Sequence, residues 1–542
     1  MKKLLTLVLA LCMAASVCTG CGSPASSTPN EAPSNASTAD INEPESGSGP
    51  EAVEGVSGVS EETLRIAAEA EPSSLVPVYA ESNPNGRYTQ NIYNTLFGID
   101  LETNEILPEL ALDYEWVDDT HLKLTLREGV KFHDGSDFTA ADVLYTFKTG
   151  TENSIRAQYA FYDAENSYAE NDYTVVLALN YAKPNLPSIL SAGQYFIISE
   201  SYTEAAGGVE NTIRKPNGTG PYKFVEWVDG DHITFERFED YWDQDNLPYY
   251  QYQYHQFVTD SASRALALES GDVDVAVQPP STSIDELNSY DNITAYAYVQ
   301  PTVRTIWLNY DSEPLQDQRV REAIRCCIDP QAYIEICQNG YGEPVLTCFS
   351  PANDGYLDLS GEYPFEVDYE KGKQLLADAG YDGGLTLVAV ASSMTQSIHE
   401  VLQAQLENVG ITLKIDVLEM AVYNERLAAG DYDINIGTVD AWDTSAYALT
   451  KLDGRSDPAV AQGSSRYQDE ALYELLDTAK LGATEEERRQ AVEEIQRFIL
   501  DHCVCIGICQ EVRFEAIRSD LTGIQYDCRG WPEWFAVRPI AG

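Results

Sequence analysis

The stretch "LREGVKFHDGSDFTAADV", Leu126 to Val143, sets one histidine among three aspartates. Such residues serve metal binding and acid–base chemistry, but they also build turns and helix caps, so their reading separates an enzyme from a scaffold. Just upstream, "HLKLTL" alternates Leu122, Leu124 and Leu126 with polar neighbours, the period-two pattern of a half-buried strand. His133-Asp134-Gly135 then supplies a tight turn, with glycine taking the strained backbone angles. Thr139 stands as N-cap of the helix begun by "FTAADVLYTF", and Asp142, three residues on, is an acidic variant of the capping box. The aspartates thus have structural tasks, and His133 has no second ligand at helical or strand spacing. The stretch reads as strand, turn and helix.

The same grammar recurs along the chain. "PNGTGPYKFVEW" (Pro216 to Trp227) is a Gly/Pro turn feeding a strand. "SRALALESGDVDVAV" is a helix from about Ser261, stopped at Gly271, then a strand from Asp272. "RVREAIRCCIDPQAYIEIC" is a helix broken near Pro330, with Leu315, Val320 and Ile324 on its apolar side. "DYEKGKQLLADAGY" is a short helix with Leu375 and Leu376 inward and Gly380 as its stop. "SIHEVLQAQLENVGITLKIDVLE" is a helix ending at Gly410 followed by a strand, "YDINIGTV" is another strand, and "EEERRQAVEEIQRFILDH" is a late amphipathic helix. Helices and strands alternate without a fixed repeat length, which argues for α/β layers and against a solenoid.

At the N-terminus, Lys2 and Lys3 precede the apolar run "LLTLVLALCMAASV", too short to span a bilayer comfortably. It ends in "VCTGCGS", where Thr19-Gly20 before Cys21 resembles a bacterial lipobox, with Cys18 standing where leucine is usual. Residues 1–20 are therefore expected to be a lipoprotein signal peptide and Cys21 the acylated first residue of the mature chain; an ordinary secretory signal or a short anchor helix is the alternative. Both readings export the protein. Residues 21–62 carry almost no large apolar side chain and are expected to form a disordered tether. Its root-mean-square reach is roughly 30–40 Å.

The rest, from Thr63, is long enough for two or three domains. The whole chain's net charge of −53 argues against a nucleic-acid partner, whose phosphates it would repel. Eleven cysteines occur, and export permits disulfides, but no spacing fixes a pairing. In "HCVCIGIC", Cys503, Cys505 and Cys509 are expected on one face of a strand. With His502 they offer a zinc-like donor set, but with no CxxC pair they read as small buried residues, so no metal site is assigned.

The segments "LREGVKFHDGSDFTAADV", "GTGPYKFVEW", "RFEDYW", "RALALESGDVDVAV", "DQRVREAIRCCIDPQAYIEI", "EKGKQLLADAGY" and "LENVGITLKI" follow one another in an order that resembles the extracellular solute-binding proteins, family 5, of bacterial ABC importers. These are typified by oligopeptide-, dipeptide- and nickel-binding proteins. No single motif is decisive; the colinear succession from Thr63 to about Pro539 is specific. The resemblance implies an α/β, two-lobed, periplasmic-binding-protein-like fold with two hinge crossings and an inserted subdomain in the first lobe. On that template the first lobe is 63–299 and 506–542, with the insertion at about 108–212, and the second lobe is 300–505. The crossings fall in "QPTVRTIWLNY" and "CVCIGICQEVRF".

The resemblance also implies a function: capture of di- or oligopeptides by lobe closure, delivery to a membrane permease, no catalysis and no cofactor, in a monomer held at the outer face of the membrane. "SLVPVYAE" is similar to an early loop whose acidic residue faces the cleft, which makes Glu81 the first-lobe candidate. "GTVDAWDTSAY" is similar to the second-lobe loop where a Trp and a following Asp grip the peptide ammonium. Here Asp440 and Asp443 flank Trp442, and either aspartate can take that role. Arg304, on the first crossing strand, is suited to a bidentate carboxylate contact or to an interlobe salt bridge. A metal chelate, an oligosaccharide or another small solute remains the alternative ligand, and peptide sensing the alternative to transport. Enzyme signatures are absent: "KTG" at Lys148 to Gly150 has no Ser-x-x-Lys, and there is no Gly-x-Ser-x-Gly, His-Glu-x-x-His or phosphate-binding glycine loop.

Overall fold

The computed structural model describes residues 62–79, 83–100, 105–153, 159–393, 395–440, 446–456, 463–482, 484–526 and 530–540. The expected signal peptide, Cys21 and nearly all of the expected tether lie outside them. Among the described residues, no helix is long and apolar enough to cross a membrane.

A ten-stranded sheet organises the body from Ser60 onward. Its order from one edge is Ile411–Leu418, Leu385–Ser392, Ile434–Asp440, Ile293–Leu308, Cys505–Arg518, Val275–Val277, Thr63–Ala68, Tyr252–Phe257, His232–Arg237 and Tyr222–Val228. At its centre, Ile293–Leu308 and Cys505–Arg518 run antiparallel; the first, at 16 residues, extends for about 50 Å. Their ladder breaks between Val299 and Val303, which pair with Val512 and Gln510, so Gln300, Pro301 and Thr302 face Glu511 alone. Pro301, without an N–H, suits this interruption. On one side of the break the strands join Val275–Val277 and Thr63–Ala68; on the other, the first of them joins Ile434–Asp440.

Separate cores lie on the two sides. Beyond the break, Ile306, Leu308, Val320, Ile324, Leu402, Leu406 and Ile436 pack together, and Trp307, Leu472, Ile495 and Ile499 form a second cluster on the opposite face. Before it, Ala276, Leu268, Leu287 and Ala516 form one cluster and Leu64, Val275, Ile517 and Trp534 another. A four-stranded sheet (Ala111–Asp118, His121–Leu126, Thr174–Leu179, Tyr162–Asn171) has its own core around Leu122, Leu124, Phe132, Phe138 and Phe147. The fold is that of a two-lobed α/β body with a subdomain attached to its first half.

The opening stretch is architecture. His133 has its Nε2 3.0 Å from the Gly220 carbonyl, and the Gly218 amide donates to its Nδ1 at 3.4 Å. Both ring nitrogens are thus engaged by the backbone, and burial pushes this histidine down to about 4. Thr139 N–H donates to Asp142 at 2.8 Å, closing the expected cap, and the other Asp142 oxygen accepts from the Glu200 amide at 2.9 Å.

Two local expectations are corrected. The strand expected from Asp272 begins at Val275, because the Asp272 and Val273 amides close the preceding helix onto Ala267. Cys503, Cys505 and Cys509 do not share a face. Cys503 adopts a left-handed conformation (φ 48°) that ends the helix Glu485–His502. A bulge then leaves Ile508 without a counterpart, since Gly507 pairs with Thr305 and Cys509 with Arg304. Cys505 therefore enters the core with Trp307, and Cys509 enters the opposite one.

Candidate ligand-binding site

The break in the central ladder gathers charge. Arg304 Nε donates to Glu511 Oε1 at 2.8 Å, joining the two long strands beside their discontinuity. Burial opposes the Arg304 charge, and the Glu511 carboxylate more than offsets this, holding the guanidinium above its ordinary range. The pair borders a cavity of about 210 Å³ lined by Arg304, Tyr333, Cys337, Gln338, Ser397, Ile398, Ile508, Cys509 and Glu511.

Each wall has a local cause. The helix Pro330–Cys337 starts where Asp329 accepts from the Gln331 and Ala332 amides, and it carries Tyr333 and Cys337 to the cavity. The helix Gln396–Glu407 presents its N-terminal turn, through Ser397 and Ile398. Its N-cap residue Thr395 provides no side-chain cap bond, as the hydroxyl engages Ser392, whose amide donates to it at 3.1 Å. A helix N-terminus carries partial positive charge. The Tyr333 hydroxyl is buried and has no hydrogen-bond partner among the described residues. Cys509 is pushed up to about 12, chiefly by burial and then by Glu511, and burial also raises Cys337. Neutral thiols are poor nucleophiles and poor metal ligands. The cavity thus offers a guanidinium already paired with the Glu511 carboxylate, a hydroxyl and a helix N-terminus, donors suited to a polar group.

On the other side of the break a second polar group is buried. Arg513 and Glu515 on the long strand are 2% and 0% exposed at their side chains. Arg87 pairs with Glu69 close by. Burial raises Glu515 well above the usual carboxylate range, against the pull of Arg87. The C-terminal segment closes over this region: the Gly530 carbonyl accepts from Arg513 Nη1 at 3.3 Å and Gln300 Nε2 at 3.4 Å, and Gln90 donates to Pro532 at 2.5 Å. Tyr298 and Tyr526 stack with centroids 3.8 Å apart.

Of the residues singled out from the sequence, Arg304 lies at the break and Asp440 ends the neighbouring strand. Asp440 pairs with Thr302, as Thr438 does with Arg304, so the strand Ile434–Asp440 ends at the ladder break. Trp442, Asp443 and Glu81 lie outside the described residues, as does the side chain of Asp440. Glu511, Tyr333, Gln338 and Ser397 escaped the sequence reading. Glu511 left one signal, an acid within the otherwise apolar "CVCIGICQEVRF". The others come from separate helices, which no local pattern connects.

Residues 105–458 match the family described as "Bacterial extracellular solute-binding proteins, family 5 Middle". The glutathione-binding protein GsiB of Pectobacterium atrosepticum is 28% identical over 354 residues, covering 64% of this chain and 67% of that protein. The dipeptide-binding protein of Escherichia coli is 24% identical over 510 residues, covering 87% and 94%. Among solved structures, NikA from Brucella suis in complex with Fe(III)-EDTA superposes with a TM-score of 0.78 at 21% identity, covering 88% of this chain and 100% of that one. The ligands named for these relatives differ widely; the fold and the family do not. The chain belongs to the bacterial extracellular solute-binding proteins of family 5, the extracytoplasmic substrate-binding components of ABC importers.

Proposed function

We propose that this protein captures di- or oligopeptides between two closing lobes and delivers them to a membrane permease. The observation that carries this reading is the Arg304-lined cavity near the end of the strand Ile434–Asp440. A zwitterionic peptide needs a cationic pocket at one end and a carboxylate at the other. Arg304, the Tyr333 hydroxyl and the helix N-terminus at Ser397 receive the peptide carboxylate. Asp440 or Asp443 receives the ammonium, and Trp442 packs against the peptide between them. Glu81 contributes from the first lobe on closure. Each contact across the cleft exists only in the shut state, so ligand shifts the population toward it.

The lobes are 63–299 with 506–542, carrying the subdomain at about 108–212, and 300–505. Acylated Cys21 holds this monomeric body at the outer face of the membrane, and residues 21–62 give it reach, which keeps its local concentration high beside the permease.

Native mass spectrometry of the protein, purified without added ligand, tests the reading directly. A retained mass matching a peptide supports it; a retained sugar or metal chelate overturns the peptide assignment. Titration calorimetry of the Asp440→Asn/Asp443→Asn variant then separates the classes. Peptide binding is lost in that variant, whereas a neutral sugar would still bind.

A further inference from the structure

Seven free cysteines occur among the described residues: Cys326, Cys327, Cys337, Cys348, Cys503, Cys505 and Cys509. One pair of them is arranged to react. The segment before Cys348 lies antiparallel against the second long strand: the Val345 amide donates to Ile508 at 3.1 Å, the Gly507 amide to Leu346 at 3.1 Å and the Gln510 amide to Glu343 at 2.9 Å. Pro344 and Cys509 form an antiparallel bridge in the same register. The approach is so close that a Cβ on Gly507 would lie 2.3 Å from the Thr347 carbonyl oxygen. The segment bends at 346–348, just beyond the last of these bonds, and there Cys348 enters the same buried cluster as Cys505. A disulfide requires Cα atoms about 4.4–6.8 Å apart.

A second observation agrees. Cys348 lies within interaction distance of the Cys505 thiol and, after burial, is the main influence raising it. Both side chains are buried in the cluster around Trp307, Phe349 and Val504. Three of the other five are otherwise engaged or placed: Cys327 donates to the Ala323 carbonyl at 3.1 Å, Cys509 accepts from Gln338 at 2.9 Å, and Cys503 closes a helix.

We propose that Cys348 and Cys505 form a disulfide in the exported protein, stapling the segment before Cys348 to the second long strand. The reaction is thiol–disulfide exchange with an extracytoplasmic oxidant that itself carries a disulfide. One thiolate attacks that disulfide and releases one thiol; the second then attacks the mixed disulfide and releases the other. The S–S bond formed replaces the one broken, and the oxidant takes both protons and both electrons. Burial raises the Cys505 thiol well above its ordinary value, so exchange belongs to folding, before the strand is covered. Afterwards the same burial shields the bond from reductants.

The test is thiol mapping of the full exported chain, unfolded in guanidinium with N-ethylmaleimide and without reductant, then digested for mass spectrometry. The expected product is a crosslinked pair of peptides containing Cys348 and Cys505, lighter by the two lost hydrogen atoms and released by reductant. Complete N-ethylmaleimide labelling of both cysteines, or linkage of either to another cysteine, overturns the proposal. In a thermal melt, reductant lowers the wild-type midpoint by roughly 5 °C but leaves the Cys348→Ala/Cys505→Ala variant unchanged. Equal reductant sensitivity of the two proteins overturns it as well. Neither readout depends on which solute the protein binds.

Discussion

Arg304 and Glu511 meet at 2.8 Å across the two long strands at the middle of the large sheet, at the point where their ladder is interrupted. The side chains are 14% and 24% exposed, so each loses most of its hydration and depends on the other. Arg304→Met leaves Glu511 unpartnered and strips the cavity of its cation. The expected result is a loss of about 1–3 kcal/mol in urea unfolding, and a fall in peptide affinity of tenfold or more by calorimetry. Lys at the same position keeps charge but loses the planar fork, and should recover only part of the affinity.

Phe147 carries the packing of the four-stranded subdomain, with ring contacts to Tyr159, Phe161, Tyr162 and Tyr195. Phe147→Ala opens a cavity among rings that cannot collapse freely. Chemical denaturation should register a loss of about 3–5 kcal/mol.

The helix Glu485–His502 begins with a complete capping box: Thr484 Oγ1 accepts from the Glu487 amide at 3.2 Å, and Glu487 accepts from the Thr484 amide at 3.2 Å. Thr484→Ala should cost about 1 kcal/mol in denaturant unfolding, and Thr484→Ser close to nothing.

His255 and His399 are fully buried, and desolvation pushes them down to about 3 and about 4. The unfolded chain takes up protons near pH 6.5, whereas the folded one does not until pH reaches those lower values. Stability therefore falls as pH drops from about 6.5 to about 4, each histidine contributing on the order of 2 kcal/mol. Glu109, pushed up to about 7 by burial, acts in the opposite sense between its unfolded and folded values. The histidine contribution is accordingly read as a difference: His399→Gln should show a shallower acid decline of its urea midpoint than wild type.

Local pattern carried the elements and colinear order carried the architecture. Leu122, Leu124 and Leu126 announced a strand because alternation of burial is written into consecutive residues, and Thr139 with Asp142 announced a helix start because capping spans three positions. The cysteine strand misled, because a single unpaired residue, Ile508, inverts the facing of everything after it. Such a bulge arises from the partner strand some 200 positions away and leaves no local trace. The cavity was illegible for the same reason: Tyr333, Ser397 and Glu511 converge from two helices and a strand that no short window contains.

The chain departs for the second half of the sheet and returns from it along strands that are immediate neighbours. The chain between Val303 and Gln510 is therefore joined covalently to the rest at two points a single strand spacing apart, about 5 Å. Such a segment is topologically a cassette: exchanging it for its counterpart from a relative would graft one jaw of the clamp without re-threading the other. New solute preferences in this lineage can thus arise by recombination at two adjacent seams.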